Sequence, residues 1–186
     1  MDERIVRRVQ DGDQEAFRAL VVASHARLTR VAQGVLRDPH AAEDAVQQAL
    51  LDIWRDIRRL RDPSRFEGWS YKLLLRVCYA EARRRPRWVP DDQVPPAAEP
   101  RVGDVCGIVV DRDQLCRGFA HLSPDHRAVI VLRYLMDLSP EQVAEALDIP
   151  RKTVYSRLGR AMDALRAALE AEARTPVPTP IRQEPA

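Results

Sequence analysis

Apolar residues recur at helical spacing along most of this chain, and no alternating strand pattern appears anywhere. In the amino-terminal half, one such segment spans residues 13–36, and a second spans residues 38–60 with its apolar positions unbroken. A third is predicted from about residue 66 to residue 85. The pattern therefore predicts an all-α amino-terminal domain.

The carboxyl-terminal half contains a short helical segment, a break and a longer helical segment. Ser139, Pro140 and Gln142 form a capping signature at the start of the first segment, and the break falls at residues 148–150. The second segment has one apolar face, formed by Val154, Leu158, Met162, Leu165 and Leu169. Two helices joined by so short a break cross at a steep angle, so a helix-turn-helix is predicted.

Two proline-rich stretches divide the chain. Five prolines between residues 86 and 100 rule out a helix interior and favour an extended connector, and four more follow residue 175. We therefore predict an all-α fold of two small helical domains joined by a proline-rich linker. The domains are residues 1–85 and 111–172, the linker is residues 86–110, and residues 173–186 form a disordered tail.

Charge separates sharply between the two helices of the helix-turn-helix. Residues 137–148 hold four acids and no base, whereas residues 151–166 hold five bases and one acid. If the second helix enters the major groove by its amino end, Arg151, Lys152, Tyr155 and Ser156 reach base edges, and Arg157 and Arg160 face phosphates. The alternative is a solvated charged face on an ordinary helical hairpin.

Charge is also sorted within the amino-terminal domain. Residues 38–56 carry five acids and one base, whereas residues 58–87 carry ten bases and three acids, interleaved with aromatic residues. Bases and aromatic rings together suit single-stranded nucleic acid, because the bases neutralise phosphates and the rings stack on unpaired nucleobases. For Phe66, Trp69 and Leu73 the alternative is packing in the core.

Composition excludes several other classes. The chain of 186 residues has a net charge of +2, no apolar run long enough to span a membrane and no secretory leader, so a cytoplasmic protein is expected. Cys78, Cys106 and Cys116 form no CxxC pair, which favours buried thiols over a disulfide or zinc site, although Cys106 in the linker leaves a redox sensor open. The four histidines are scattered and no glycine-rich phosphate loop exists, so we expect no catalytic residue, metal, cofactor or small-molecule substrate.

Four motifs occur in a fixed order between residues 11 and 169. They are DGDQEAFRALV, DPHAAEDAVQQALLDIW, FEGWSYKLLLRV followed by ARRR, and LSPDHRAVIVLRYLMDLSPEQVAEALDIPRKTVYSRLGRAMDAL. In this order, with a proline-rich linker before the last, they resemble the ECF-type (extracytoplasmic function) sigma factors of bacterial RNA polymerase. The resemblance implies a protein that directs core RNA polymerase to promoters and carries out no chemistry itself.

The resemblance also implies three sets of contact residues. The helix that binds the β′ clamp helices of the polymerase corresponds to Glu43, Asp44, Gln47, Gln48 and Asp52. The loop that captures a flipped base of the minus-ten element, with the helix against the opened strand, corresponds to Arg61, Ser64, Arg65, Phe66, Trp69, Lys72, Arg76, Arg83 and Arg84. The module that reads the minus-thirty-five element corresponds to Arg151, Lys152, Thr153, Tyr155, Ser156, Arg157 and Arg160.

Partners follow from the same resemblance. They are promoter DNA, core RNA polymerase through its β′ clamp helices and β flap, and an anti-sigma factor; no membrane is expected as a partner. Asp148 stands where a turn glycine is frequent, and aspartate tolerates the left-handed conformation better than most residues. The competing class is a stand-alone helix-turn-helix regulator that binds duplex DNA as a dimer. It explains residues 138–169 equally well, but neither the basic and aromatic segment at 58–88 nor the acidic face at 43–52.

Overall fold

The computed structural model describes residues 1–84 and 112–174, and within these ranges every regular element is helical. The α-helices there are α1 (Glu3–Gln10), α2 (Gln14–Leu36), α3 (Pro39–Asp56), α4 (Phe66–Arg84), α5 (Arg112–Ala120), α6 (Pro124–Ile130), α7 (Pro140–Leu147) and α8 (Arg151–Arg174). Two 3-10 turns, Ile57–Arg59 and Pro63–Arg65, connect α3 to α4, and a π-helical turn at Val131–Leu135 continues α6. The predicted all-α fold with a helix-turn-helix is confirmed.

Aspartate side chains begin the first three helices. The carboxylate of Asp13 accepts a hydrogen bond from the Ala16 amide at 3.0 Å, and that of Asp38 accepts one from the Ala41 amide at 2.8 Å. These bonds satisfy amides that have no partner within the helix. The predicted starts of α2 and α3 are confirmed, whereas α1, which is capped by Asp2, was not predicted as a separate helix.

The predicted continuation of the second helix to residue 60 is wrong in its last turn. Helix α3 ends at Asp56, and the chain tightens into the 3-10 turn Ile57–Arg59. Ile57 and Leu60 are nevertheless buried, because the tighter turn still directs both side chains into the core. The apolar spacing therefore continued although the α-helix did not.

The helices form two groups that also pack on each other. Helices α2, α3 and α4 pack together with α1 across α2, and α5, α6 and α7 pack around α8. Between the groups, α4 packs against α7 and α2 against α6, so that one continuous hydrophobic core runs through both. The predicted linker lies outside the described residues, as does the tail beyond residue 174, and α8 continues two residues past the predicted domain end at residue 172.

Candidate nucleic-acid interface

The turn between α7 and α8 has the capping geometry that its sequence predicts. The Ser139 hydroxyl accepts from the Gln142 amide at 3.3 Å, and the Gln142 side-chain oxygen accepts from the Ser139 amide at 2.8 Å. Asp148 ends α7 in the left-handed conformation, with φ of 55°. The carboxylate residue thus takes the backbone role of a turn glycine, as predicted.

The amino end of α8 presents a cluster of polar side chains to solvent. Arg151, Lys152, Tyr155, Ser156 and Arg160 are exposed. Arg151 Nη2 donates to the Tyr155 hydroxyl at 3.1 Å, and its guanidinium lies 5.6 Å from the centre of the Tyr155 ring. This hydrogen bond and the Glu141 carboxylate raise the pKa of Arg151 above its usual value. Arg151 and Tyr155 therefore form one preorganised, cationic unit on the outer surface.

The other two predicted residues of α8 are less accessible. Thr153 is half-buried. Arg157 has a quarter of its side-chain surface exposed and pairs with Asp125 at 2.9 Å. This ion pair fixes α8 to the start of α6, so that Arg157 positions the helix as well as adding positive charge.

The loop before α4 is ordered by an aspartate. Asp62 Oδ1 accepts from the Ser64 amide at 3.0 Å and from the Ser64 hydroxyl at 2.7 Å, and these bonds hold the pKa of Asp62 below its usual value. Arg61, Ser64 and Arg65 around it are exposed. The loop is thus a short, fixed turn that displays two guanidinium groups.

Four bases continue from this loop along one side of α4. Arg65, Lys72, Arg76 and Arg83 follow each other at spacings of seven, four and seven residues, which place them on one helical stripe. Lys72, Arg76 and Arg83 are exposed, as is the adjacent Arg84. We call these four residues, from Arg65 to Arg83, the basic stripe of α4.

The aromatic residues at the start of α4 lie inward rather than along the stripe. Phe66 is completely buried, so it belongs to the core and is removed from the predicted strand contacts. Trp69 is half-buried with its ring 6.1 Å from that of Phe66, and Leu73 is buried. Phe66 and Leu73 therefore pack in the core, which was the alternative to strand binding, because their spacing along α4 directs both side chains at the neighbouring helices.

The outer face of α3 carries the predicted polymerase contacts, with one exception. Glu43, Asp44, Gln47 and Gln48 are exposed. Asp52 is only 5% exposed and is removed from the predicted contacts. Its carboxylate accepts hydrogen bonds from three side chains of the same domain: Gln48 at 3.1 Å, Arg55 at 2.9 Å and Arg76 at 3.0 Å. Asp52 therefore ties α3 to α4.

A shallow apolar groove adjoins this face and was missed by the sequence reasoning. It is lined by Phe17 of α2 and by Leu50, Leu51 and Trp54 of α3, with the Phe17 and Trp54 rings 4.6 Å apart. Leu51 is 63% exposed and Trp54 is 39% exposed. The sequence feature that could have indicated the groove is Leu51, a large apolar residue outside the series of buried positions on α3.

The remaining candidate chemistry gives no further site. No group of His, Cys, Asp and Glu in residues 1–84 and 112–174 is arranged to hold a metal ion. Burial raises the pKa of the Cys78 thiol to about 12, whereas Cys116 is exposed, so the prediction of buried thiols is confirmed for Cys78 and wrong for Cys116. Cys106 lies outside the described residues. None of the described helices is long and apolar enough to cross a membrane.

A helix-turn-helix with an exposed basic second helix, together with a separate basic stripe on another domain, defines a two-domain, helical nucleic-acid-binding protein. Comparison with known proteins specifies the class further. Residues 20–87 match the family described as Sigma-70 region 2, and residues 118–167 match Sigma-70, region 4.

Relatives with similar sequences extend over nearly the whole chain. The ECF RNA polymerase sigma-E factor of Escherichia coli is 31% identical over 180 residues, covering 88% of this chain and 92% of the relative. The RNA polymerase sigma-H factor of Pseudomonas aeruginosa is 29% identical over 181 residues, covering 91% and 94%. The chain belongs to the ECF family of RNA polymerase sigma factors. It is a transcription initiation factor, not an enzyme, and it directs core RNA polymerase to promoters.

Two solved structures share the fold. CnrH, in complex with the cytosolic domain of CnrY, has a TM-score of 0.65 and 24% identity and covers 92% of this chain and 98% of its own. The sigma factor RpoE of Bartonella quintana, in complex with the anti-sigma factor NepR, has a TM-score of 0.64 and 22% identity, covering 84% and 98%. The arrangement of helices is therefore one that CnrH and the Bartonella quintana RpoE also adopt.

Proposed function

We propose that the two domains divide promoter recognition between them. Residues 1–85 bind core polymerase, read the minus-ten element and hold its melted strand, whereas residues 111–172 read the minus-thirty-five element and contact the β flap. The observation that carries the proposal is that three surfaces of different chemistry lie on different helices. They are an acidic and amide face on α3, the basic stripe of α4 and the cationic amino end of α8.

The α3 face is suited to the β′ clamp helices. Glu43 and Asp44 are exposed and form no salt bridge with any described residue, so their charge is available to a basic partner. Gln47 and Gln48 add hydrogen-bonding groups one turn further along. The apolar groove at Leu51 accommodates apolar side chains of a partner helix, which is how helices commonly bind in grooves.

The loop before α4 and the basic stripe are suited to the melted strand. Arg61, Ser64 and Arg65 surround a fixed turn that can receive a flipped base, a step that costs a few kcal/mol of unstacking. Lys72 and Arg83 then neutralise phosphates of the strand, and Arg76, which also pairs with Asp52 at 3.0 Å, adds its exposed guanidinium between them. Trp69 is half-buried at the edge of the core, and the exposed part of its ring is available for stacking.

The amino end of α8 is suited to the major groove of duplex DNA. Arg151, Lys152, Tyr155 and Ser156 lie where a recognition helix contacts base edges, with Thr153 beside them. Arg157 and Arg160 lie one turn later and are placed for phosphates. Since Tyr155 and Glu141 already hold the Arg151 side chain, little of its conformational entropy is lost when it binds.

The location and the regulator of the protein complete the proposal. A factor that acts with RNA polymerase works in the cytoplasm. Both of these solved structures contain a bound partner, which is the cytosolic domain of CnrY for CnrH and the anti-sigma factor NepR for the sigma factor RpoE. We include an anti-sigma factor among the partners of this chain on that basis.

Run-off transcription with bacterial core polymerase on a genomic fragment library tests the proposal. Wild type gives discrete start sites, Asp44→Arg loses all of them because the charge at the clamp contact is reversed, and Arg151→Ala/Lys152→Ala loses them because upstream recognition fails. Glu3→Arg and Arg4→Ala/Arg166→Ala make the same charge changes at exposed residues outside the three surfaces and keep the start sites. Start sites that survive Asp44→Arg contradict the clamp contact, and start sites that survive the α8 double substitution contradict upstream recognition by α8.

A further inference from the structure

The acids of α7 lie against the basic stripe of α4. Glu145 Oε1 is 2.8 Å from Arg65 Nε, and Asp148 Oδ1 is 2.9 Å from Lys72 Nζ. Both ion pairs join the two domains, because α7 belongs to the helix-turn-helix and α4 to the amino-terminal domain. Two bases that the proposed function assigns to the melted strand are therefore paired with carboxylates of the other domain.

Two glycines at the contact show how closely the two domains pack, because side chains of the other domain lie directly against them. A Cβ added at Gly68 of α4 would lie 3.2 Å from Glu145 Cδ. A Cβ added at Gly34 of α2 would lie 2.6 Å from Val131 Cγ2, closer than real side chains approach. The absence of a side chain at each position thus permits the contact, and a larger residue at Gly34 requires Val131 or the helix that carries it to shift.

The same contact has the properties of one that opens. Arg65 and Lys72 keep 60% and 47% of their side-chain surface exposed, and exposed ion pairs are weak enough for a polyanion to displace. Elsewhere in the interface, Arg127 of α6 is half-buried with its Nε lacking a hydrogen-bond partner. Burial and the nearby Arg37, which caps the carboxyl end of α2, lower the pKa of Arg127 to about 10, and separation of the domains would remove Arg37 from its neighbourhood.

We propose that this arrangement is a closed state in which the acidic helix α7 masks the amino-terminal half of the basic stripe of α4 as an internal substitute for the DNA strand. Lys152 and Tyr155 of α8 stay exposed in it, and Arg151 pairs with Glu141 inside its own domain, so the contact between the domains covers bases of the strand-binding surface and none of the duplex-reading surface. The inference rests on the proposed function of the stripe. A partner that binds only the separated domains shifts the chain to the open state.

A reversible cross-link tests the masking directly. In the full chain carrying Cys106→Ser and Cys116→Ser, the pair Gly68→Cys/Glu145→Cys places two thiols across the contact, while Cys78 is buried. We expect a disulfide to form under mild oxidant and to lower the affinity for a fluorescein-labelled oligothymidylate of about 20 nucleotides by about tenfold. Reduction restores the affinity, so each sample is its own control.

A wedge variant tests the same proposal from the opposite direction. Gly34→Leu crowds Val131 at the contact between the domains, which should favour the open state, and is expected to raise the affinity for the same oligonucleotide by about tenfold. Gly159→Leu makes the same replacement on α8, where an added Cβ meets no atom within 4 Å, and should leave the affinity unchanged.

The outcomes separate the two proposals. If the cross-link never forms, or if the oxidised chain binds the strand as tightly as the reduced chain, the masking is overturned. If neither the reduced chain nor the wedge variant binds the strand at all, the strand-binding role of the stripe is itself overturned. Lower affinity on oxidation, with recovery on reduction, supports both.

Discussion

The two acidic helices of the molecule, α3 and α7, direct their carboxylates to different places. On α3, Glu43 and Asp44 point outward and form no salt bridge with any described residue. On α7, Glu145 and the capping Asp148 pair with bases of the other domain. The difference shows that an acidic helix can either present its charge to a partner protein or neutralise a basic surface of its own chain. Only tertiary placement distinguishes the two uses.

The largest effect, on affinity for core polymerase, is expected when the apolar groove beside the α3 face is disrupted. Leu51→Arg places a charge in the apolar surface and should weaken binding to core polymerase about 50-fold, or about 2–3 kcal/mol, as replacement of an interface anchor does. Val22→Arg is the matched control, because Val22 is the same kind of residue, 79% exposed, on a helix surface outside the groove.

Fluorescence anisotropy with labelled chain and core polymerase measures both variants. An equal loss of affinity for Leu51→Arg and Val22→Arg would show that the groove has no special role. The α3 face would then consist of its polar residues alone, and Asp44→Arg would remain the stronger substitution.

A second prediction separates the inward acid of α3 from the outward ones. Asp52→Asn keeps the shape of the side chain but weakens the charge-assisted bonds to Arg55 and Arg76, and should lower the free energy of unfolding by about 1–3 kcal/mol. Asp44→Asn, on the same helix, should change it by less than about 0.5 kcal/mol, because Asp44 is exposed and unpaired within the described residues.

Urea denaturation of the full chain compares the two. Equal stability of Asp52→Asn and wild type would contradict the structural role of Asp52, and would return it to the candidate contacts of polymerase. The measurement therefore decides whether Asp52 stabilises the fold or belongs to the surface that contacts polymerase.

Local signals predicted much of this molecule. Asp13, Asp38 and Ser139 marked helix starts because each cap joins residues three positions apart in the chain. The two helices of the helix-turn-helix and the difference in charge between them were likewise visible in the local sequence. These features depend on neighbours in sequence, which a linear pattern records.

The features that escaped prediction depend on distant neighbours. Phe66 and Asp52 belong to types common at binding surfaces, yet both are buried because α3 and α4 close over them. Leu51 is of a type common in cores, yet it is exposed. The pairing of Glu145 with Arg65 joins residues 80 positions apart, so no local pattern could indicate it.

The smallest effect, on the open fraction of the chain, is expected at α7. It tests whether the acids of α7, unlike those of α3, hold the two domains together. Glu145 pairs across the domains, whereas Glu141, one turn earlier, pairs with Arg151 at 2.8 Å inside its own domain. Glu145→Gln should therefore shift the chain toward the open state about two- to fivefold, as loss of an exposed ion pair allows. Glu141→Gln removes the same charge from the same helix and should not shift it.

Single-molecule Förster transfer between dyes at Ala23→Cys and Met162→Cys, with Cys106 and Cys116 replaced by serine, reports the open fraction. Ala23 and Met162 are exposed and lie on the two different domains. In about 1 M salt, where screening acts over roughly 3 Å, the difference between Glu145→Gln and wild type should narrow, because the ion pair is exposed. If Glu141→Gln opened the chain as much as Glu145→Gln, the total negative charge of α7, and not its contact with α4, would control closure. The placement of the α7 acids would then not explain why they act differently from those of α3.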